Sequence, residues 1–223
     1  MLIQPIPVSP WQANCYVVLP REGATECLIV DPGLTGAEPI RAALADLGVA
    51  PVALLATHGH VDHIGDAHLL AAEFGVPLYL AAADQHLVTR PGDGLGPQGT
   101  ALMRQLTGTD VAPGVEDLRD YDGALELAGL TIEPFPVPGH TAGSTLLTVS
   151  AEGVAVTFTG DVLFAGTIGR TDLPGGSMSA MRESLRRIAR SLPADRALLP
   201  GHGAPTTMAD ELATNPFLQP EHL

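Results

Sequence analysis

Thr57-His58-Gly59-His60-Val61-Asp62-His63 sets three imidazoles and one carboxylate within six consecutive positions. A short apolar run, 52–56, precedes it and reads as a buried strand, and the small and apolar residues of 64–74 read as the helix that follows. A turn between strand and helix lets side chains converge on one point. Neutral imidazoles and carboxylates are the ligands that borderline divalent metals prefer. A solvated histidine-rich loop is the alternative, but low-complexity histidine tracts do not alternate ligand types this tightly.

Upstream, 2–8, 14–19 and 26–30 read as a β-meander, with prolines marking the first strand as an edge. The third strand ends in Asp31-Pro32-Gly33, which reads either as plain turn chemistry or as a carboxylate that orients a metal-bound imidazole. The apolar spacing of 39–47 predicts an amphipathic helix closed by Gly48, and 76–81 a further strand. The segment 90–114 is crowded with Gly, Pro, Thr and Asp; with a short helix at 100–106, it is expected to be a lid or a wall of a cleft. Strands are expected at 124–127, 131–137, 145–149, 154–159 and 197–199, and helices at 182–192 and 207–213. Because strands precede each helix in meanders, a two-sheet sandwich flanked by helices fits better than a doubly wound sheet.

Three more turns carry single ligand-type residues beside glycine, each after a strand: Gly139-His140, Gly160-Asp161 and Gly201-His202-Gly203. Glycine lets the backbone turn tightly and approach a site closely. His58, His60 and His140 supply three imidazoles, the set that suits a catalytic zinc with an open position. Asp62, His63 and His202 offer a second, mixed oxygen and nitrogen set, and Asp161 can bridge the two.

The chain has 223 residues, 45% hydrophobic and 16% charged, a composition that buries a core and favours one domain spanning 1–223. Its net charge is −14 and its eleven basic residues are all arginine, which argues against nucleic-acid and membrane-surface partners. The N-terminus lacks the basic start of a signal peptide, and Cys15 and Cys27 read as two buried thiols, so a cytoplasmic location is expected.

The pattern H-x-H-x-D-H, followed by G-H-T, G-D and G-H-G, resembles the metallo-β-lactamase superfamily from Asp31 to His202. The resemblance implies a four-layer αββα sandwich and a site for two divalent metals, zinc first, with iron or manganese as alternatives. It assigns His58, His60 and His140 to one metal, Asp62, His63 and His202 to the other, Asp161 as the bridge, and Asp31 as the carboxylate behind the ligands. Asp62 also stands as a candidate proton carrier. The stretch 160–176 and Thr214-Asn215-Pro216-Phe217 are similar to short bacterial glyoxalase II, the hydroxyacylglutathione hydrolases. That implies hydrolysis of a small-molecule thioester, with hydroxide generated between the metals attacking the acyl carbon. Longer members carry Lys and Tyr where this chain has Arg170 and Asp172. Arg170 suits a substrate carboxylate or, equally, an ion pair that braces its loop, whereas Asp172 repels a carboxylate. A mononuclear-iron persulfide dioxygenase shares the G-R-T-D stretch and is the rival reading, but it lacks the glycine-flanked last histidine. A metal-stabilised binding domain that has lost activity is the non-enzymatic alternative, disfavoured because no ligand is missing. His68, His86 and His222, and the Arg182, Arg186, Arg187 and Arg190 face, are expected to be solvated.

Overall fold

The computed structural model describes residues 1–219 and 222. Its first sheet contains β1 (Leu2–Val8), β2 (Ala13–Leu19), β3 (Glu26–Val30), β4 (Ala50–Leu55), β5 (Leu78–Tyr79) and β6 (Leu118–Arg119), in that order. β1 to β3 form the meander, and β3 to β6 run parallel. The second sheet comprises β7 (Leu125–Leu127), β8 (Leu130–Pro136), β9 (Thr145–Ala151), β10 (Val154–Gly160), β13 (Ala197–Pro200) and β14 (Thr206–Thr207), in the spatial order 14-13-10-9-8-7. A small hairpin, β11 (Leu163–Phe164) and β12 (Thr167–Ile168), stands apart.

Strand parity divides the core into layers, because successive side chains point to opposite faces. Tyr16 and Val18 face Leu147, Val149 and Phe158 between the sheets. Cys15, Val17 and Leu19 face outward, under α1 (Ala37–Leu47) and α3 (Ala67–Phe74). On the other side Leu146 and Leu198 pack against Met181, Leu185 and Ile188 of α5 (Met178–Ser191). This is the four-layer αββα sandwich that the sequence implied. Cys15 and Cys27 are buried and free.

The helix expected over 64–74 is broken into α2 (Val61–Ile64) and α3. Asp66 causes the break: its N–H donates to Gly33 O, and its carboxylate accepts the Ala37 N–H at the start of α1. The expected strand 76–81 keeps only two paired residues. α5 begins at Met178, four residues early, where the Ser177 hydroxyl caps it by accepting from Ala180 N–H. Arg187 is not simply solvated: it lies over the Phe135 ring at 4.6 Å and donates to Pro136 O. The segment 90–114 holds a 3-10 turn (Pro91–Leu95) and α4 (Gly99–Thr107); α6 (Met208–Thr214) is followed by a 3-10 turn, Pro216–Leu218. Among the described residues no helix is long and apolar enough to cross a membrane.

Candidate metal centre

Parallel strands put the ligand-bearing turns together. β3 and β4 end side by side, so Asp31 lies next to the Thr57–His63 turn. β8, β10 and β13 share one direction, and the turns after them bring His140, Asp161 and His202 to the same rim. Donor atoms gather there in three sets, each within 4.8 Å: His58, His60 and His140; His58, His63 and Asp161; and Asp62, His63 and His202. Asp161 reaches both outer sets, its Oδ2 lying 3.6 Å from His140 Nε2 and 3.5 Å from His202 Nε2, and its Oδ1 3.4 Å from His63 Nε2. Two glycines permit the approach. Gly160 has φ +48°, and a Cβ there would run into the Thr57 side chain; at Gly201 a Cβ would strike Asp161 Oδ1 and His63 Cε1.

The rings are held from behind. Asp31, buried and at φ +51°, accepts from Thr57 N–H at 2.8 Å, from the Thr57 hydroxyl at 2.8 Å and from His63 Nδ1 at 3.0 Å. With its proton committed to Asp31, the Thr57 oxygen accepts from His58 Nδ1 at 3.1 Å. His140 Nδ1 donates to Arg170 O at 2.8 Å, and His202 Nδ1 to Gln12 O at 3.3 Å. Each bond fixes a tautomer and leaves Nε2 as a lone pair aimed inward. Asp31 thus ends its strand in a turn and at the same time holds the His63 ring by a hydrogen bond.

Three inward atoms, His58 Nε2, His63 Nε2 and Asp161 Oδ1, are buried without a hydrogen-bond partner, while His60 turns its Nδ1 to His140 Nε2 at 2.8 Å and its own unpartnered Nε2 towards Gly94. Buried polar atoms are seldom left unpaired, and this many around one point fits a bound cation. The donor chemistry agrees. Burial, reinforced by neighbouring imidazoles, holds the pKa of His58 low and that of His60 at about 4, so both are neutral donors. At Asp62 and Asp161 burial alone would favour the neutral acid, but His63 and the other rings keep both ionised. At His63 burial is outweighed by Asp161, Asp62 and Asp31, so the pocket draws positive charge there.

Other residues brace the site in roles that the sequence did not show. Asp84, buried in a 3-10 turn, accepts from Gly59 N–H at 2.9 Å, Gly143 N–H at 2.8 Å and the Thr141 hydroxyl at 2.6 Å, tying the His58–His60 turn to the His140 turn. Asn215 donates to Thr167 O and Glu211, while Glu211 accepts Gly166 N–H, which anchors the β11–β12 hairpin that leads to Arg170. A carboxylate or amide serving backbone groups has no spacing signature, so nothing in the sequence singled out Asp84 or Glu211, and Asn215 stood out only within the 214–217 stretch, with no role attached.

A cleft of about 380 Å³ opens over the rim, lined by His60, Asp62, His140, Asp161 and His202 and walled by Trp11, Leu95, Leu102, Arg170 and Leu173. The 90–114 segment is thus a wall, and its Gly94 packs against the edge of the His60 ring. Arg170 forms a two-pronged ion pair with Asp172, Nε to Oδ1 at 2.7 Å and Nη2 to Oδ2 at 2.8 Å. His68 is half-buried rather than solvated, bonded to Gly65 O at 3.1 Å and outside the cleft; His86 and His222 are exposed.

Comparison with known proteins agrees with this geometry. The family model of the metallo-beta-lactamase superfamily matches residues 8–202, and the chain belongs to that superfamily. It is a metal-dependent hydrolase at that level of description. An uncharacterized protein of Mycobacterium leprae is 39% identical over 219 residues, covering 98% of this chain and 99% of its own. The hydroxyacylglutathione hydrolase GloC of Haemophilus influenzae is 34% identical over 218 residues, 98% of each chain. Among solved structures, the B3 metallo-beta-lactamase BLEG-1 superposes with a TM-score of 0.82 at 33% identity, over 98% of this chain and 100% of that one. TTHA1623, solved in a di-iron-bound form, gives 0.79 at 32% identity, over 96% and 100%.

Proposed function

We propose that the chain is a two-metal hydrolase of hydroxyacyl thioesters of the S-lactoyl kind, cleaving the acyl C–S bond with water to give a hydroxy acid and a thiol. The observation that carries this reading is the pair of donor sets joined through Asp161, with three buried inward atoms unpaired. The likeness to the Haemophilus influenzae hydroxyacylglutathione hydrolase supports the substrate class. His58, His60 and His140 would hold one ion, Asp62, His63 and His202 the second, with Asp161 between them; zinc fits the imidazole-rich donors, and the di-iron relative keeps iron in play. Such a pair supplies Lewis acidity for a carbonyl oxygen and makes hydroxide available near neutral pH.

The chain's own residues do the rest. Asp31 and the carbonyls of Arg170 and Gln12 keep the imidazoles in the tautomers that point Nε2 inward. The walls of the cleft exclude water around the acyl group. Asp62 lines the cleft beside His202, at 3.2 Å, and the charges that keep it ionised favour metal binding over proton carriage. The test is hydrolysis of S-lactoyl thioesters by the zinc- and iron-loaded chain and by His60→Ala and Asp161→Ala. We expect turnover by the parent and none by folded variants. Parental rates in either variant contradict the assignment, as does oxygen uptake on glutathione persulfide by a chain carrying one iron.

A further inference from the structure

The cleft has an unusual balance of surfaces. Beyond the metal-ligand candidates its walls are Trp11, Leu95, Leu102 and Leu173, apolar but for the indole N–H, with Arg170 the one Arg or Lys among the described residues lining it. That guanidinium is paired with Asp172, both of whose carboxylate oxygens it meets, although the two side chains stay 59% and 68% exposed. The rest of the molecule offers an anion little help, since the chain carries a net −14 and no lysine.

Trp11 is held in place and is not a stray exposed aromatic. Its tight turn is built with Ser9 at φ +64° and Gln12 at φ +57°; the Ser9 hydroxyl oxygen accepts Trp11 N–H, and Ser9 O accepts Gln12 N–H. The same turn is tied to the far sheet, because Gln12 O accepts from His202 and the Asn14 amide donates to Pro200 O and Gly203 O. Trp11 nevertheless stays 40% exposed, at the rim of the cleft. A large apolar ring left in the open on a braced backbone turn, beside a candidate reactive centre, marks a binding surface. Across from it the 90–114 wall comes close to Leu173, 3.9 Å from where a Gly96 Cβ would stand.

We infer that Trp11, Leu95, Leu102 and Leu173 form a collar for an uncharged, apolar thiol half of the substrate, and that the Arg170–Asp172 pair turns away carriers with free carboxylates, such as glutathione. This rests on the thioesterase reading and narrows it. A carboxylate entering the cleft competes with Asp172 for Arg170 and meets its negative charge, whereas an apolar carrier only covers the collar.

Two S-lactoyl thioesters, of glutathione and of N-acetylcysteamine, test the idea, together with the S-hexyl thioethers of the same two thiols, whose binding needs no turnover. The metal-loaded parent should show kcat/KM at least about tenfold higher on the uncharged thioester, and tighter binding of the uncharged thioether in the same sense. Asp172→Asn, which frees Arg170, should shrink that preference about threefold or more through a lower KM for the glutathione compound. Trp11→Ala should weaken the uncharged thioether about tenfold. Hydrolysis of both thioesters with the glutathione compound preferred, or a preference untouched by Asp172→Asn, overturns the collar while leaving the thioesterase reading intact. No hydrolysis of either thioester, with the uncharged thioether still bound tighter and weakened by Trp11→Ala, overturns the thioesterase reading and keeps the collar.

Discussion

Asp31 shows how much one side chain can organise. It occupies a left-handed backbone conformation, which Asp tolerates better than most residues, and it gathers three donors with two oxygens. Asp31→Ala leaves the Thr57 N–H and the His63 Nδ1–H buried and unpartnered, so it should cost about 2–4 kcal/mol in urea denaturation and weaken metal binding about 10–100-fold in competition with a chelator. A variant with parental stability and metal affinity would mean that Asp31 is turn chemistry alone. Asp84→Ala breaks the link between two ligand turns and should lower stability by about 3 kcal/mol or more; a loss under about 1 kcal/mol contradicts the link. The thiols give a pH signature. Burial pushes Cys27 from 9.0 up to about 12 and raises Cys15 as well. The unfolded thiol ionises first, so the stability gained from a neutral Cys27 is complete below pH 9.0 and is lost as pH climbs towards about 12. Denaturation midpoints should therefore fall across that range, and the fall should be shallower in Cys27→Ala; identical slopes contradict it.

At the scale of elements, the ligand turns were legible because each one advertises itself: donor types at adjacent positions in 58–63, or glycine beside a single His or Asp after a strand. Of their supports only Asp31 was legible in that role. Glu211 and Asn215 act on backbone groups of a hairpin some 45 to 48 residues away in sequence, and Asp66 splits a helix only because Gly33 and Ala37 come to meet it. Such partners exist only after folding. The β11–β12 hairpin deserves a direct probe, since its far end supplies the Arg170 carbonyl that fixes His140. Asn215→Ala, placed well outside the cleft, should lower metal affinity about tenfold by loosening that carbonyl, while moving the denaturation midpoint as expected for lost buried hydrogen bonds. An unchanged chelator titration would show that the hairpin does not position His140.

For the whole molecule, the sandwich was readable from the alternation of meanders and helices, and side-chain parity along β2 and β9 distributes the core as that order requires. The site lies where strands of one direction end, β3 and β4 in one sheet and β8, β10 and β13 in the other, so that their C-terminal turns meet at one rim, which a sequence hints at only through repeated strand-then-ligand units. The cleft walls depend on Trp11 meeting the 90–114 segment and Leu173, a juxtaposition across the whole chain that no local pattern encodes. The central claim is that seven side chains form two metal positions sharing Asp161. Metal content per chain, measured on protein purified without added metal and again after saturation and desalting, tests it most directly. The account predicts about two divalent ions per chain in the saturated parent and about one in His202→Ala. A single tightly held ion in the parent, unchanged by His202→Ala, would contradict it.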